Sequence, residues 1–370
     1  MTERDRATNG SAKRATSGLS WPDVLATLSR RESIGGATAE EVLRVVLAGE
    51  ASPAQIGAFL TLLHVKGETA DEVTGLARAM VDAAVPCPLD VPEDTTVVDL
   101  VGTGGDRLAS INVTTLASFI TAGCGVPVCK HGNRAASSSV GTADVLEALG
   151  VAIEVGPEGV ARCVAEAGMG FCFSQRFHPA MRYVGPVRKE LGVPTVFNFL
   201  GPLTNPARIR HQLVGVSDPA MAPVMAGVFG ATGSRRSLIV HADDGLDELS
   251  VTSPADVLEV RGDGSGSFEL SEWRVDPKGL GLAPAAMADL KGGDAAFNAR
   301  VIRAVLEGEQ GARRDIGVLN AAAALMAAGQ VDDLGEGMAR AAESLDSGRA
   351  LGVLDALVAT SQAALRQQTA

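Results

Sequence analysis

The sequence predicts an α/β protein with a small N-terminal helical domain and a large domain whose mainly parallel sheet is flanked by helices. Two observations support this fold class. Between about residues 20 and 84, start signals for about four short helices follow one another. From about residue 97 to residue 260, short apolar strands alternate with helical segments, which is the pattern of parallel strands joined by right-handed crossovers.

Composition and charge narrow the class of protein. The chain has 370 residues, of which 46% are hydrophobic, enough for one large or two ordinary domains with a sizeable core. A net charge of −12 without a basic tract argues against nucleic acid as a partner. No run of about 18 apolar residues predicts a membrane span. The odd number of cysteines and the lack of Cys-x-x-Cys spacing indicate unpaired core residues of a reducing, cytoplasmic compartment; they are Cys87, Cys124, Cys129, Cys163 and Cys172.

The N-terminal part reads as a tail followed by the helical domain. Residues 1–19 are polar and of mixed charge, which predicts a flexible tail rather than a signal peptide. Residues 20–86 form the predicted helical domain. Its helix starts are marked by Ser20 before a Trp-Pro-Asp sequence and by three capping-box spacings, Thr38 with Glu41, Ser52 with Gln55, and Thr69 with Glu72.

The predicted α/β domain spans residues 87–370 and begins with a proline-punctuated linker at residues 86–92. Residues 178–191 read as helical pieces and residues 201–206 as a tight turn region. We expect the segment from about 178 to 206 to return to the helical domain and build a cleft. The Ala-rich tail from Asp294 onward is predicted to be helical, with Asp294 as a cap and no chemistry of its own.

The first of three polar loops occupies residues 102–106, with the sequence Gly-Thr-Gly-Gly-Asp, after a short apolar strand at 97–101. Glycine lets the main chain approach a ligand closely. Asn112 and Thr114, which open the next helix, can cap that helix or point at phosphate or metal.

The second polar loop is residues 130–142, which hold three basic or imidazole side chains, two glycines and four hydroxyls. A predicted strand at 125–129 precedes it, and a predicted helix at 143–150, closed by a glycine, follows. Strand ends that lead into helices are where α/β proteins bind anions. Neither loop is a Walker A or dinucleotide fingerprint, so we expect a phosphate ligand of another kind.

The third polar loop is acidic and follows a predicted strand at residues 237–240. It holds four carboxylates, those of Asp243, Asp244, Asp247 and Glu248. Magnesium takes oxygen ligands and bridges carboxylates to phosphates. The alternative is a solvated β-turn at residues 243–245. Because two phosphate-type loops accompany it, metal binding is favoured.

Four motifs in order, at residues 102–106, 130–134, 187–206 and 243–248, closely resemble the anthranilate phosphoribosyltransferase family of tryptophan biosynthesis. The resemblance runs from about Trp21 to about Val358. It implies the two-domain fold, a homodimer formed through the helical domain, and transfer of ribose 5-phosphate from 5-phosphoribosyl 1-pyrophosphate (PRPP) to the amine of anthranilate. It also implies Mg²⁺, with two ions expected per subunit.

The resemblance also implies roles for individual residues of this sequence. The residues implied to bind PRPP are Gly102, Gly105, Asp106, Ser110, Asn112, Val113, Thr114, Thr115, Lys130, His131, Gly132, Asn133, Arg134, Ala135, Ala136, Ser137, Ser138 and Thr142. Those implied to bind anthranilate are Gly102, Asn133, His178, Met181, Tyr183 and Arg188, with His131 and Gly201 also lining the entrance. The implied magnesium residues are Thr114, Asp247 and Glu248. Thr114 and Thr142 stand where the family often has serine, and both keep the hydroxyl.

The residue types suit the implied chemistry. Arg188 can pair with the anthranilate carboxylate, and Lys189 is a weaker candidate because the family's arginine aligns with Arg188. Magnesium and the basic loop can stabilise the departing pyrophosphate. The amine is already a neutral nucleophile, so orientation supplies most of the remaining acceleration. His131 is a candidate base for the amine proton, although a role in shaping the loop is favoured.

Three alternatives remain open. A pyrimidine-nucleoside phosphorylase of the same fold would carry a loop resembling Lys-x-Ser-x-Arg, whereas this chain has Gly132 between His131 and Asn133. A non-catalytic relative that binds nucleic acid would have a basic surface and would lack the acids at 247 and 248. A third alternative, loops that serve stability only, is improbable because the three polar loops all fall at strand ends.

Overall fold

The structure is a computed structural model that describes residues 18–92, 94–135 and 140–369. Most of the predicted tail therefore lies outside the described residues. Four helices form the N-terminal part, as the sequence predicts. They are α1 (Trp21–Ser29), α2 (Gly36–Leu47), α3 (Pro53–Lys66) and α4 (Ala70–Asp82).

Two of the three capping-box predictions are confirmed. Ser52 with Gln55 and Thr69 with Glu72 form both hydrogen bonds of a capping box at the starts of α3 and α4. The prediction for Thr38 is wrong, because α2 already begins at Gly36. There the Gly36 N–H donates to Asp71 Oδ2 at 2.6 Å, so a side chain from the first turn of α4 caps α2.

The large domain is built on one seven-stranded sheet of order β3-β2-β1-β4-β5-β6-β7. The first five strands in that order are parallel, and β6 and β7 add an antiparallel hairpin after β5. The predicted, mainly parallel sheet is confirmed. Its strands are β1 (Val98–Gly102), β2 (Val128–Gly132), β3 (Met169–Phe173), β4 (His211–Gly215), β5 (Arg236–Ala242), β6 (Ala255–Gly262) and β7 (Phe268–Val275).

Helices cover both faces of this sheet. The largest apolar core packs α5 and α13 against the strands, and Leu116, Phe119 and Leu319 are fully buried there. Asp294 caps α12, as predicted, because its Oδ1 accepts the N–H of Phe297 at 2.7 Å. The helices are α5 (Val113–Gly123), α6 (Thr142–Ala148), α7 (Pro157–Ala167), α8 (Ser174–Phe177), α9 (Gly185–Leu191), α10 (Phe197–Leu203), α11 (Ala222–Ala231), α12 (Ala295–Leu306), α13 (Ala312–Ala327), α14 (Leu334–Asp346) and α15 (Arg349–Thr369).

Helices α9 and α10 connect the two parts of the molecule. Val187, Phe197 and Leu200 belong to the same apolar cluster as α1 to α4. Helix α10 continues through Leu203, so the predicted turn over residues 201–206 starts later than expected. The apolar side chains of this segment place α9 and α10 beside the carboxyl ends of β1 and β2. Among the described residues, we find no helix with the length and apolarity that a membrane span requires.

Candidate active site

A cleft of about 300 Å³ opens at the carboxyl ends of β1 and β2, between the sheet and helices α9 and α10. Parallel α/β sheets bind ligands at this edge. All three polar loops of the sequence contribute to its walls. The sequence-predicted residues that line it are Gly102, Gly105, Asp106, Ser110, Asn112, Thr114, Lys130, His131, Gly132, Asn133, Arg134, Ala135, Thr142, Arg188, Gly201, Asp247 and Glu248.

Some predicted site residues do not line the cleft. Val113 and Thr115 are buried beside Thr114, because successive side chains on a helix point about 100° apart and only one of the three faces the cleft. His178 lies behind the ring of His131, with the ring centroids 5.1 Å apart. Met181 packs on the helical domain and Tyr183 lies against Gly49. Ala136, Ser137 and Ser138 fall outside the described residues.

Strand β2 is displaced along the chain relative to its prediction. It runs to Gly132, so Lys130 and His131 are strand residues that pair with Phe171 and Cys172 of β3 and do not belong to the loop. Pro127 precedes the observed strand, which is consistent with its lack of an N–H to donate to the ladder. Pairing with β3 therefore holds the backbone of Lys130 and His131 rigidly.

Lys130 brings a buried positive charge to the cleft. Its side chain is 1% exposed, and its ammonium donates to the carbonyl oxygen of Leu100. Burial lowers the pKa of Lys130 to about 8, against the opposing effect of Asp99 and the two acids Glu248 and Asp247. At neutral pH the ammonium therefore stays largely charged and faces the acidic side of the cleft.

Asp99 supports this region from beneath. It is fully buried in β1, where Oδ1 accepts the N–H of His131 at 3.2 Å and Oδ2 accepts from Asn205 Nδ2 at 2.8 Å. Burial raises the pKa of Asp99 to about 6, with Lys130 acting in the opposite direction. The sequence reading passed over Asp99 as part of an apolar strand. The sequence does mark Asp99 as unusual, because it is the one carboxylate inside the apolar run Val-Val-Asp-Leu-Val. A charge buried in such a strand needs hydrogen-bonding or charged partners.

Both ring nitrogens of His131 are occupied. Nδ1 lies 3.0 Å from the carbonyl oxygen of Gly201, and Nε2 lies 2.9 Å from the hydroxyl of Ser174. A carbonyl can only accept, so Nδ1–H donates to it and the Ser174 hydroxyl donates to Nε2. Burial, together with neighbouring His178, lowers the pKa of His131 to about 3. The ring is therefore neutral at physiological pH, and Nε2 has no free lone pair.

Three carboxylates converge on the wall of the cleft that the loops after β1 and β5 form. Oxygens of Asp106, Asp247 and Glu248 lie within 4.8 Å of one another. Asp247 Oδ2 accepts the N–H of Gly104 at 2.7 Å, whereas Glu248 Oε2 is buried and has no hydrogen-bond partner in the part of the chain that the structure describes. Burial and the neighbouring Asp247 raise the pKa of Asp106 to about 6, and the same two causes hold the pKa of Glu248 well above its usual range.

This arrangement fits a hard divalent cation. Clustered, buried carboxylates with an unpartnered oxygen are costly alone and become favourable around a cation that takes oxygen ligands. The sequence assigned Asp106 to the phosphoribosyl ligand, and the structure adds it to the acidic cluster. The remaining two acids of the loop face elsewhere: Asp243 pairs with Arg274 at 2.6 Å, and Asp244 accepts from the hydroxyl of Ser250 at 2.7 Å.

Two glycines allow the acidic loop to reach the cleft. Gly102 of β1 and Gly215 of β4 are partners in register. A Cβ atom at position 215 would overlap the carbonyl oxygen of Asp247, and one at position 102 would overlap its carboxylate. The loop after β5 can therefore pack directly on the strand ends only where both residues lack a side chain.

The third wall belongs to α9 and α10. The guanidinium of Arg188 lies 5.4 Å from the ring centroid of Phe197 and donates to Asn198 Oδ1 at 3.4 Å. Burial lowers the pKa of Arg188, and within residues 18–92, 94–135 and 140–369 it pairs with no carboxylate. An arginine beside an aromatic ring and free of an acid is suited to an aromatic carboxylate.

Four further polar residues of the cleft were missed by sequence reasoning, namely Thr103, Ser174, Asn198 and Asn298. Asn198 lies inside the motif at residues 187–206, which was noted without assigning it a role. Asn298 lies on α12 and donates to Asn112 Oδ1 at 2.9 Å. The Ala-rich sequence around Asn298 gives no local signal, because only tertiary packing brings α12 to the cleft.

Comparison with known protein families matches almost the whole chain. Residues 94–351 match the model "Glycosyl transferase family, a/b domain", and residues 22–84 match "Glycosyl transferase family, helical bundle domain". A protein of Salinispora arenicola named anthranilate phosphoribosyltransferase is 51% identical over 342 residues, which cover 90% of this chain and 95% of that protein.

Solved structures give the same result. An anthranilate phosphoribosyltransferase from Thermus thermophilus is 42% identical with a TM-score of 0.84, covering 92% of this chain and 99% of that one. The Saccharomyces cerevisiae enzyme in complex with PRPP and Mg is 26% identical with a TM-score of 0.82, covering 93% and 98%.

The acidic cluster predicts a measurable stabilisation by magnesium. Saturating Mg²⁺ should raise the melting temperature by about 3 °C, because an ion that binds only the folded state shifts the unfolding equilibrium. Glu248→Gln should lose most of this shift, whereas Asp243→Asn, an acid of the same loop that faces away, should keep it. Differential scanning fluorimetry with and without Mg²⁺ measures both. An equal shift in the Glu248 variant would place the ion elsewhere.

Proposed function

We propose that this chain, which belongs to the anthranilate phosphoribosyltransferase family, transfers the 5-phosphoribosyl group of PRPP to the amine of anthranilate. The products are N-(5-phosphoribosyl)anthranilate and pyrophosphate, in tryptophan biosynthesis. The observation that carries the proposal is that one cleft combines three features. A carboxylate cluster forms one wall, Lys130 and the glycine-rich main chain of residues 102–106 form the floor, and Arg188 lies beside the ring of Phe197 on another wall.

In this proposal PRPP lies along the carboxyl ends of β1 and β2. The backbone of residues 102–106, the ammonium of Lys130 and the start of α6 at Thr142 face its phosphates. Asp106, Asp247 and Glu248 would hold magnesium, and Thr114 lies in the same cleft. The three carboxylates offer enough oxygens for the two ions per subunit that the resemblance implies, since Mg²⁺ also keeps several waters.

Anthranilate is proposed to bind against α9 and α10. Arg188 pairs with its carboxylate, the ring lies near Phe197, and Asn133 and Gly102 close the pocket from the sheet side. His178, Met181 and Tyr183 lie behind or beside this wall, so they act on the shape of the entrance rather than through direct polar contact.

Catalysis in this proposal rests on electrostatics and orientation. As the bond from ribose C1 to pyrophosphate breaks, negative charge grows on the leaving group. Bound magnesium supplies Lewis-acid neutralisation of that charge, while Lys130 and the backbone N–H groups of the loops are fixed in position to bind it. Arg188 orients the amine, which is already neutral, toward C1. His131 holds Gly201 and Ser174 in place.

We further propose a homodimer formed through the helical domain and a cytoplasmic location. Val65 on α3 is 59% exposed and Val193 after α9 is 50% exposed, and both lie on the helical side of the molecule. Exposed apolar side chains there support self-association. The five unpaired cysteines support a reducing compartment.

The decisive experiment mixes the purified protein with anthranilate, PRPP and Mg²⁺ and follows anthranilate fluorescence. The proposal expects a decay that requires both PRPP and magnesium, with N-(5-phosphoribosyl)anthranilate as product by mass spectrometry. No decay, together with phosphate-dependent cleavage of a pyrimidine nucleoside, would assign the chain to the phosphorylases instead.

Substitution of Arg188 tests the anthranilate subsite. Arg188→Ala should raise the KM for anthranilate about tenfold or more, because a charge-assisted pair is lost, and should change the KM for PRPP much less. Lys189→Ala is the matched control, since Lys189 is the exposed cation next in sequence and should leave both KM values near wild type. Equal losses for the two substrates would contradict the assigned role of Arg188.

Substitution of His131 tests the proposed absence of a histidine base. A base would impose a pH dependence near its own pKa, whereas His131, with a pKa of about 3, is already neutral across the assay range. In His131→Asn, kcat should fall through lost positioning, but the shape of its profile between pH 6 and 9 should match that of the wild type. If the wild-type kcat fell at the low end of this pH range and the variant's kcat did not, His131 would be acting as a base.

A further inference from the structure

The segment that precedes α12 is hydrogen-bonded to the chain between the first polar loop and α5. The N–H of Ile111 donates to the carbonyl oxygen of Leu290 at 3.0 Å. The N–H of Gly292 donates to the carbonyl oxygen of Ala109 at 2.8 Å. The two segments are in close contact, because a Cβ atom at position 292 would lie 2.6 Å from the carbonyl oxygen of Ser110. The start of α12 is therefore attached to the chain that leads from the first polar loop into α5.

Asn298, near the start of α12, has a side-chain amide whose orientation is fixed. Its Oδ1 accepts the backbone N–H of Gly293 at 2.8 Å, and since a backbone N–H can only donate, this end of the amide is the oxygen. The other end, Nδ2, donates to Asn112 Oδ1 at 2.9 Å. Asn298 is 2% exposed, so both ends of its amide are bonded to protein groups in a buried place.

This contact determines which end of the Asn112 amide faces the cleft. Asn112 precedes α5, a position where asparagine usually accepts a hydrogen bond from the N–H groups of the helix. In the described part of the chain its side chain makes no such hydrogen bond. Its oxygen faces Asn298, and its Nδ2 is directed toward the second polar loop, 3.5 Å from the carbonyl oxygen of Val140. An amide nitrogen has two hydrogens, so Nδ2 can also donate to an anionic oxygen in the cleft.

We infer that Asn298 is a positioning residue for PRPP, a role that rests on the function proposed above. It holds the Asn112 amide so that Asn112 presents its N–H donor, and not its carbonyl oxygen, to the phosphates of PRPP. Phosphate oxygens carry negative charge and accept hydrogen bonds, whereas a carbonyl oxygen in that place would repel them. The orientation of a substrate-facing amide is thus set by a residue whose own amide is already bonded to protein.

Isothermal titration calorimetry of the Mg²⁺-saturated protein with PRPP, without anthranilate, tests this role. Asn298→Leu should weaken PRPP binding about fivefold or more, because Asn112 loses the partner that orients its donor. In an Asn112→Ala background the same substitution should change the affinity less than about twofold, since the group that it positions is gone. Ile302→Ala is the matched control. Ile302 is fully buried on the same helix, so its loss should lower the melting temperature and leave PRPP binding near wild type.

Asn298→Asp is a second variant, which keeps an acceptor for the N–H of Gly293 and nearly the same volume. A carboxylate cannot donate, so the Asn112 amide should turn its nitrogen toward that carboxylate and its oxygen toward the phosphates. PRPP affinity should fall at least as far as in Asn298→Leu. Part of this loss should disappear in the Asn112→Ala background.

A wild-type protein that does not bind PRPP would contradict the proposed function itself. With PRPP bound by the wild type, three results would overturn the role of Asn298 alone. The first is that folded Asn298→Leu and Asn298→Asp proteins bind PRPP as tightly as the wild type. The second is that Asn298→Leu costs the same factor in the Asn112→Ala background, which would mean that Asn298 does not act through Asn112. The third is that Ile302→Ala weakens PRPP binding as much, which would assign the loss to the packing of α12.

Discussion

The charged groups of the cleft depend on the packing of the acidic loop against two glycines. Gly102 and Gly215 lie side by side on β1 and β4, and the main chain at Asp247 occupies the space where their Cβ atoms would stand. This contact fixes Asp247 and Glu248 within reach of Asp106, which comes from a different loop. A Cβ at either position would push the acids away from the sheet, so a backbone contact determines where the side-chain chemistry occurs.

This geometry buries several charged groups, and removing each of them from water costs free energy. Crowded acids on one wall carry raised pKa values, and Lys130 on the floor carries a lowered one, because each is taken out of water. The carboxylate of Asp99, buried beneath the floor of the cleft, accepts hydrogen bonds from Asn205 and from the backbone N–H of His131. These two hydrogen bonds offset part of the cost of burying it. Functional sites commonly retain such locally unfavourable arrangements while the packed core stabilises the whole.

The sequence predicts the architecture well because helix caps and strand–helix alternation are local signals. It fails where tertiary contacts decide. Thr38 has the right spacing for a cap, yet Asp71 from another helix supplies it. Lys130 and His131 look like loop residues because polar side chains rarely end a buried strand, and only pairing with β3 shows otherwise. Asn298 reaches the cleft from a helix far along the chain, which no motif spacing reveals.

Helix α10 lies between the active-site cleft and a second cavity, which is at the amino ends of β4 and β5. Gly201 lines the cleft, Leu203 lines the second cavity, and Pro202 lines both. Just beyond the helix, Asn205 borders the second cavity while its amide holds Asp99, which in turn accepts the N–H of His131. Two buried hydrogen bonds therefore join the chain just beyond α10 to the strand residues at the floor of the active-site cleft, and they help to hold His131 where it contacts Gly201.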